Sequence, residues 1–369
     1  VSSTRKINVL IVDDSAFMRR AIAKMLEKEP DFVVVGTASS GEEAVKLVQS
    51  SQADVITMDV EMPGMGGLEA ARAIVERHGP PIIMISALTR EGAETTLRAL
   101  EIGVVDFIPK PDSAYIDILK VQRDLVEKLR HFGARTAYLR AMHAQTPLAE
   151  PPPRNIAKPV TPVVAPPPVR VARAGHYACV ALGTSTGGPV ALSQILPSLP
   201  HAFPIPIVVV QHMPPGFTKP LAERLNAASK ITVVEAQAGM RLAPATAYVA
   251  PAGFQLTLQR VAGGVEIRLS QDHAKSLHVP SVDVMAASVG EAFGGASLGV
   301  ILTGMGHDGV AGLKVIKERG GFVIGQDEGT SVVYGMPRAA AIAGLVDLVV
   351  PLPAIARTLC DLTGLGAIS

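Results

Sequence analysis

An alternation governs the first third of the chain. Short apolar runs, Ile7–Val12, Phe32–Ala38, Val55–Asp59, Ile82–Ser86 and Asp106–Pro109, are separated by stretches with helical spacing at Ala16–Lys28, Gly41–Gln49, Gly67–His78, Gly92–Ile102 and from Ile116 onward. Strand–helix alternation of this regularity predicts a doubly wound parallel α/β sheet over residues 1–130. On such sheets ligands bind beyond the carboxyl ends of the strands.

The residues at those ends point to chemistry. Asp13 and Asp14 end the first run, Asp59 ends the third with Glu61 just after it, Ser86 ends the fourth, and Lys110 follows the fifth. Carboxylates gathered at one edge repel one another and call for a cation; an all-oxygen set suits Mg²⁺, with Asp13, Asp14, Asp59 and Glu61 as its candidate ligands. A lysine facing them suggests that a transferable anion such as a phosphoryl group lands there, with Ser86 as a hydrogen-bond partner. Singly, each residue has a duller reading: Asp14 suits a helix cap, Ser86 a turn, Lys110 a solvated face. Five such residues at strand ends are harder to set aside. The segments Val12-Asp13-Asp14-Ser15, Met58-Asp59-Val60-Glu61-Met62-Pro63, Ile85-Ser86-Ala87 and Pro109-Lys110-Pro111 resemble the receiver domain of two-component response regulators. The resemblance implies a flavodoxin-like fold and phosphorylation of Asp59 by a histidine kinase. It also implies Mg²⁺ at Asp13 and Asp14, a switch involving Ser86 and Phe107, and a Lys110–Pro111 peptide of a kind often cis in that family.

From residue 131 to 174 the composition changes. Arg130–Met142 is suited to extend the last helix; then Pro147, Pro151–Pro153, Pro159, Pro162 and Pro166–Pro168 follow in quick succession. Such a run favours polyproline II and reads as a semi-stiff tether. Residues 175–369 form a second α/β unit. Its strand candidates are Tyr177–Leu182, Ile205–Gln211, Ile231–Glu235, Ala247–Ala250, Leu298–Thr303 and Phe322–Gly325. Phe254–Gln259 and Val265–Leu269 flank Gly263-Gly264 and predict an antiparallel hairpin. Helices are expected at Pro189–Leu196, Lys219–Ala227, Val282–Gly290, Asp308–Arg319 and Ala339–Ala343.

The first of these strands runs into Gly183-Thr184-Ser185-Thr186-Gly187-Gly188 and then into a helix opened by Pro189. Gly183, Ser185 and Gly187 meet the Gly-x-Ser-x-Gly spacing of a nucleophile elbow, in which a tight turn pushes the serine out at the sheet edge. A dinucleotide loop would need Gly at Ser185, and a P-loop would need Lys at Pro189. His212 follows the apolar run ending at Gln211, and Asp308 follows Thr303-Gly-Met-Gly306. Three strand ends thus bring Ser185, His212 and Asp308 to one edge as nucleophile, base and orienter, the set acyl transfer requires. Thr186 and Met305 offer N–H groups for an oxyanion hole. Competing readings are a loop histidine beside Met213-Pro214-Pro215, Asp308 as cap of the helix beginning near Gly309, and His307 as base in place of His212. The chain order Ser, His, Asp differs from that of α/β-hydrolases, chymotrypsin and subtilisin. His273 and His278 are misaligned for a helix face and suggest no metal pair. Ser281 and Asp283 suit a helix start, and Thr330–Arg338 is a polar loop that lines the substrate groove or closes the fold.

Gly183–Gly188, Gln211-His-Met-Pro214, Tyr248-Val-Ala-Pro-Ala-Gly253, Pro280-Ser-Val-Asp283, Thr303–Gly309 and Gly335-Met-Pro337 together resemble the chemotaxis response regulators that are protein-glutamate methylesterases. The resemblance implies a Rossmann-like catalytic domain without a cofactor and the triad Ser185, His212, Asp308. The implied reaction is hydrolysis of glutamate methyl esters on chemoreceptor cytoplasmic domains, with deamidation of particular receptor glutamines and release of receiver inhibition by phosphorylation. The bulk numbers agree. A net charge of +1 and no Trp argue against a nucleic-acid partner, and no basic recognition helix suits a transcription factor. Asp13 and Asp14 interrupt the first apolar run, so neither a signal peptide nor membrane insertion is expected. Cys179 and Cys360 are widely separated and read as free thiols, which with the rest predicts a cytoplasmic enzyme. The competing functional class is a receiver-linked adaptor whose second domain is catalytically silent.

Overall fold

A computed structural model describes residues 6–110, 118–144, 175–272 and 277–365. Pro111 and the proline-dense segment 145–174 lie outside those residues. Two α/β units, each built on its own parallel sheet, follow one another along the chain.

The first is built on β1 (Ile7–Val12), α1 (Ala16–Glu27), β2 (Phe32–Ala38), α2 (Gly41–Val48), β3 (Val55–Asp59), α3 (Gly67–Val75), β4 (Ile82–Ser86), α4 (Arg90–Glu101), β5 (Asp106–Pro109) and α5 (Ile118–Ala144). The strands pair in parallel in the order β2-β1-β3-β4-β5, the flavodoxin-like arrangement. β3 and β4 are buried at every position, which is why they read as near-continuous apolar runs. Helix starts follow local chemistry. Ser15 Oγ accepts the Met18 N–H ahead of α1, and Ser40 caps Glu43 while the Glu43 carboxylate reaches back to the Ser39 N–H at 2.6 Å. The helical extension read at Arg130–Met142 is one helix with the rest of α5.

The second unit runs β6 (Cys179–Thr184), α6 (Gly188–Ile195), a 3₁₀ turn, β7 (Ile207–Gln211), α7 (Thr218–Ala228), β8 (Thr232–Glu235) and β9 (Thr246–Val249), then the hairpin β10 (Gln255–Val261) and β11 (Gly264–Ser270). It continues with α8 (Val282–Phe293), a second 3₁₀ turn, β12 (Ser297–Ile301), α9 (Val310–Glu318), β13 (Phe322–Gln326), α10 (Met336–Ile342), β14 (Leu348–Val350) and α11 (Leu352–Leu362). Seven parallel strands lie in the order β14-β13-β12-β6-β7-β9-β8, with the hairpin a separate antiparallel sheet. On one face Cys179, Ala181, Val208, Val210 and Tyr248 pack with Val282, Met285 and Val289 of α8 and Leu313 and Ile316 of α9. Chain direction across the sheet reverses between β6 and β12. A crevice opens at such a switch point because the helices leaving the two strands cover opposite faces. β6 and β12 are the strands whose ends carry Ser185 and lead to Asp308.

Candidate active sites

The register of β6 and β7 decides the first pairing. Thr184 is the partner of Gln211, so Ser185 and His212 are the next residues on adjacent parallel strands, and the His212 N–H donates to the Thr184 carbonyl at 3.1 Å. After Ser185 the chain turns sharply: the Gly188 N–H donates to the Ser185 carbonyl, and Gly187 enters α6 with φ of 79°. A side chain at Gly187 would be strained in the backbone and would also strike Val332. On the other side Gly304 lets the loop after β12 approach, since a Cβ there would lie 2.8 Å from the Ser185 Cβ and against the Met336 sulfur.

His212 Nε2 and Asp308 Oδ2 are 2.7 Å apart. An ionised carboxylate only accepts, so Nε2 carries the proton and Nδ1 is left as the basic nitrogen for the serine. Asp308 is held as a carboxylate by α8. Its Oδ2 accepts the Val282 N–H at 2.7 Å, and its Oδ1 accepts the Ser281 hydroxyl at 2.8 Å and the Asp283 N–H at 3.0 Å. Burial alone would raise its pKa. The hydrogen bond and charge of His212, with the two helix-terminal amides, outweigh burial and hold the carboxyl well below the usual range. Asp308 therefore caps α8, not the helix that follows it in sequence. Asp283 returns the favour, its Oδ1 accepting the Gly309 and Gly312 N–H groups at the start of α9, both at 2.9 Å. Burial, with the nearby Asp308 charge, raises the Asp283 pKa against the pull of those amides. His307 is exposed, whereas His212 holds the Asp308 bond.

Beneath the cluster lies a belt of buried polar side chains from four strand ends. The Gln211 amide donates to both the Ser185 and His212 carbonyls at 2.9 Å, tying the two turns together. The Thr184 hydroxyl donates to the Thr303 carbonyl, the Thr303 hydroxyl to the Thr186 carbonyl, and the Thr303 N–H to Gln326 Oε1. Such a network lets the site resist small displacements of any one loop. The polar loop before α10 joins it: Val333 N–H donates to Thr303 Oγ1, Gly304 N–H to the Val333 carbonyl, and Gly335 and Met336 N–H to the Gly304 carbonyl. Thr186 is buried in the elbow, and Met305, half-buried, follows the Gly304 that approaches Ser185.

Ser185 and His212 are neighbours, but among the described residues no hydrogen bond joins the serine hydroxyl to the imidazole. His278, which its spacing from His273 excludes as half of a metal pair, lies at this site. Its ring stacks on His212 with centroids 4.1 Å apart and an interplanar angle of 10°. Gln211, Thr303 and Gln326 were missed as supports, although each is a polar residue closing an apolar run, which was the available signal.

In the first unit, ligand atoms of Asp13, Asp14 and Asp59 lie within 4.8 Å of one another. Lys110 Nζ is 2.8 Å from Asp59 Oδ2. Burial raises the Asp59 pKa to about 6, aided by the Asp13 charge and opposed by Lys110. Lys110 is itself raised: burial pulls it down, and the Asp59 contact more than offsets that. One buried Asp13 oxygen has no partner, and burial raises that carboxyl too. An orphaned buried carboxylate oxygen beside two further carboxylates fits a hard cation. The Glu61 side chain is exposed and outside this carboxylate group, and its N–H donates to Asp59 Oδ1 at 3.3 Å. Ser86 is fully buried at the end of β4, and its carbonyl accepts the Lys110 N–H at 2.7 Å. Phe107 is buried, with its carbonyl bonded by Lys128.

Comparisons with known proteins match both units. The family model described as CheB methylesterase matches residues 180–359, and that of the response regulator receiver domain matches residues 9–118. A protein-glutamate methylesterase/protein-glutamine glutaminase of Oleidesulfovibrio alaskensis is 43% identical over 371 residues, covering 96% of this chain and 99% of that one. Its counterpart in Archaeoglobus fulgidus is 44% identical, covering 95% and 96%. The crystal structure of the Thermotoga maritima CheB methylesterase catalytic domain matches with a TM-score of 0.50 at 44% identity, covering 50% of this chain and 98% of that one. With its two units matched by two family models, and relatives aligned over nearly its whole length, the chain belongs to the protein-glutamate methylesterase/protein-glutamine glutaminase family.

Proposed function

We propose that this chain is a cytoplasmic, phosphorylation-activated serine hydrolase that demethylates glutamate methyl esters on chemoreceptor cytoplasmic domains and deamidates particular receptor glutamines. Its parts are a receiver over residues 1–130, an extension and linker over 131–174, and a catalytic domain over 175–369. The observation that carries the catalytic reading is the 2.7 Å His212–Asp308 bond, made next to Ser185 on the neighbouring strand. Ser185 Oγ attacks the ester carbonyl as His212 Nδ1 takes its proton, and Asp308 steadies the imidazolium. The Thr186 and Met305 N–H groups receive the charge that develops on the carbonyl oxygen. His212 then returns the proton to the departing methoxide, methanol leaves, and water releases the glutamate carboxylate by the same route. With glutamine the leaving group is ammonia.

In the receiver, Asp13, Asp14 and Asp59 would hold Mg²⁺, which offsets their mutual repulsion and the charge of an incoming phosphoryl group. Asp59 accepts phosphate from a histidine kinase, and Lys110 and Ser86 then bond the phosphate oxygens while Phe107 shifts. No helix among the described residues is long and apolar enough to cross a membrane, which is compatible with an enzyme that meets its receptors from the cytoplasm. Methanol release from methylated receptor membranes tests the reading. Wild type should release it, faster with acetyl phosphate, and Ser185→Ala should not; equal release by both proteins would sink it.

A further inference from the structure

We infer that His278 is a positioning residue for the base, acting by fixing the plane of the His212 ring; this rests on the hydrolase reading above. A histidine has a broad, roughly two-fold preference about its Cβ–Cγ bond. Of the two ring nitrogens, Nε2 lies nearer that rotation axis and Nδ1 farther from it. The 2.7 Å bond from Nε2 to Asp308 therefore restrains the rotation weakly. Nδ1, the atom that must meet the Ser185 hydroxyl, is displaced further than Nε2 by the same turn. A flat ring lying against the His212 face blocks that swing, because rotation would drive ring atoms into it. His278 lies in that position, 4.1 Å away and within 10° of parallel.

The stacked ring sits on a built support. Gln255, buried on β10, donates its amide to the His278 carbonyl at 2.9 Å and accepts the Ser281 N–H at 2.9 Å through its Oε1. The Gly253 N–H holds the Val279 carbonyl at 3.2 Å. The same short segment thus presents His278 to the base and Ser281 to the acid. This gives the antiparallel hairpin, which stands apart from the main sheet, a role at the catalytic edge.

The experiment uses the full chain with acetyl phosphate present throughout. Methanol release from methylated receptor membranes, and carbon relaxation dispersion at His212 Cε1, are measured in wild type, Ser185→Ala, His278→Ala and His278→Phe. His278→Ala should lose about tenfold in kcat with KM within about twofold, since misplacing a reacting group costs rate before binding. Its His212 signal should broaden from ring motion. His278→Phe restores a flat face without an imidazole and should recover kcat to within about threefold and the sharp signal. A His278→Ala protein with wild-type kcat and a sharp His212 signal overturns the inference, as does a His278→Phe protein as slow and as broadened as His278→Ala. If wild type and Ser185→Ala both release no methanol, the hydrolase reading fails, and the relaxation data alone decide whether His278 fixes the ring.

Discussion

Both units bury carboxylates at the carboxyl edge of a parallel sheet, and they treat them in opposite ways. Asp308 has four donors: an imidazole, a hydroxyl and two helix-terminal amides. Asp59 has one strong partner, Lys110, and faces Asp13, one of whose oxygens has none. The consequence is visible in their proton affinities: Asp308 is pushed well down, and Asp59 is pushed up to about 6. In the proposed roles, the carboxylate that stays ionised through every turnover is fully satisfied by the protein. The carboxylate proposed to accept a phosphoryl group is left short of partners, and the missing charge comes from outside. Satisfaction gives permanence, and frustration gives responsiveness.

The contrast can be broken at several points. The largest effect is expected at Asp308→Asn, which removes the charge that opposes the imidazolium and disturbs the ring tautomer. Its kcat should fall by about 10³–10⁴ with little change in KM. A loss under tenfold would mean that the satisfied carboxylate is a helix cap and little else. Next is Asp59→Asn, for which acetyl phosphate should no longer accelerate methanol release. A retained response would place the phospho-acceptor elsewhere.

Third comes Ser281→Ala, which takes one donor from Asp308 and the cap from α8. The unfolding midpoint should drop, by about 1–2 kcal/mol in stability, and kcat should fall by roughly tenfold. Unchanged values for both would show that the helix amides alone hold the acid. The smallest effect concerns Mg²⁺. The folded pKa of Asp59, about 6, lies above its ordinary value of 3.8. Between those values the folded state binds more protons than the unfolded one, so stability falls as pH rises across that window. Mg²⁺ should therefore raise the receiver's melting temperature by several degrees at pH near 7.5 and by little near pH 4.5, where protons occupy the same oxygens. An equal shift at both would contradict a frustrated site.

Much of this was legible in the chain, for a physical reason. Strands buried on both faces are near-continuous apolar runs, so the first ionisable residue marks the edge: Asp13 after Val12, Asp59 after Met58, and His212 after Gln211. All five receiver strands fall where the apolar runs placed them. Strand β14 was not foreseen. It is a three-residue edge strand whose Leu348 and Val349 are exposed, so burial leaves no pattern in it. Nor was His278, because a contact made by stacking between a loop and a distant strand end leaves no local period. Asp308 was half-legible. The sequence offered it as a triad member or as the cap of the next helix, and the fold bonds it to His212 and makes it the cap of a different helix, an exchange with Asp283 that only tertiary structure reveals.

The most direct test of the catalytic account compares two histidines that sequence alone left in competition. Methanol release by His212→Ala should fall below about a thousandth of wild type, and His307→Ala should stay within about twofold. Full activity in His212→Ala with loss in His307→Ala would contradict the assignment of the base.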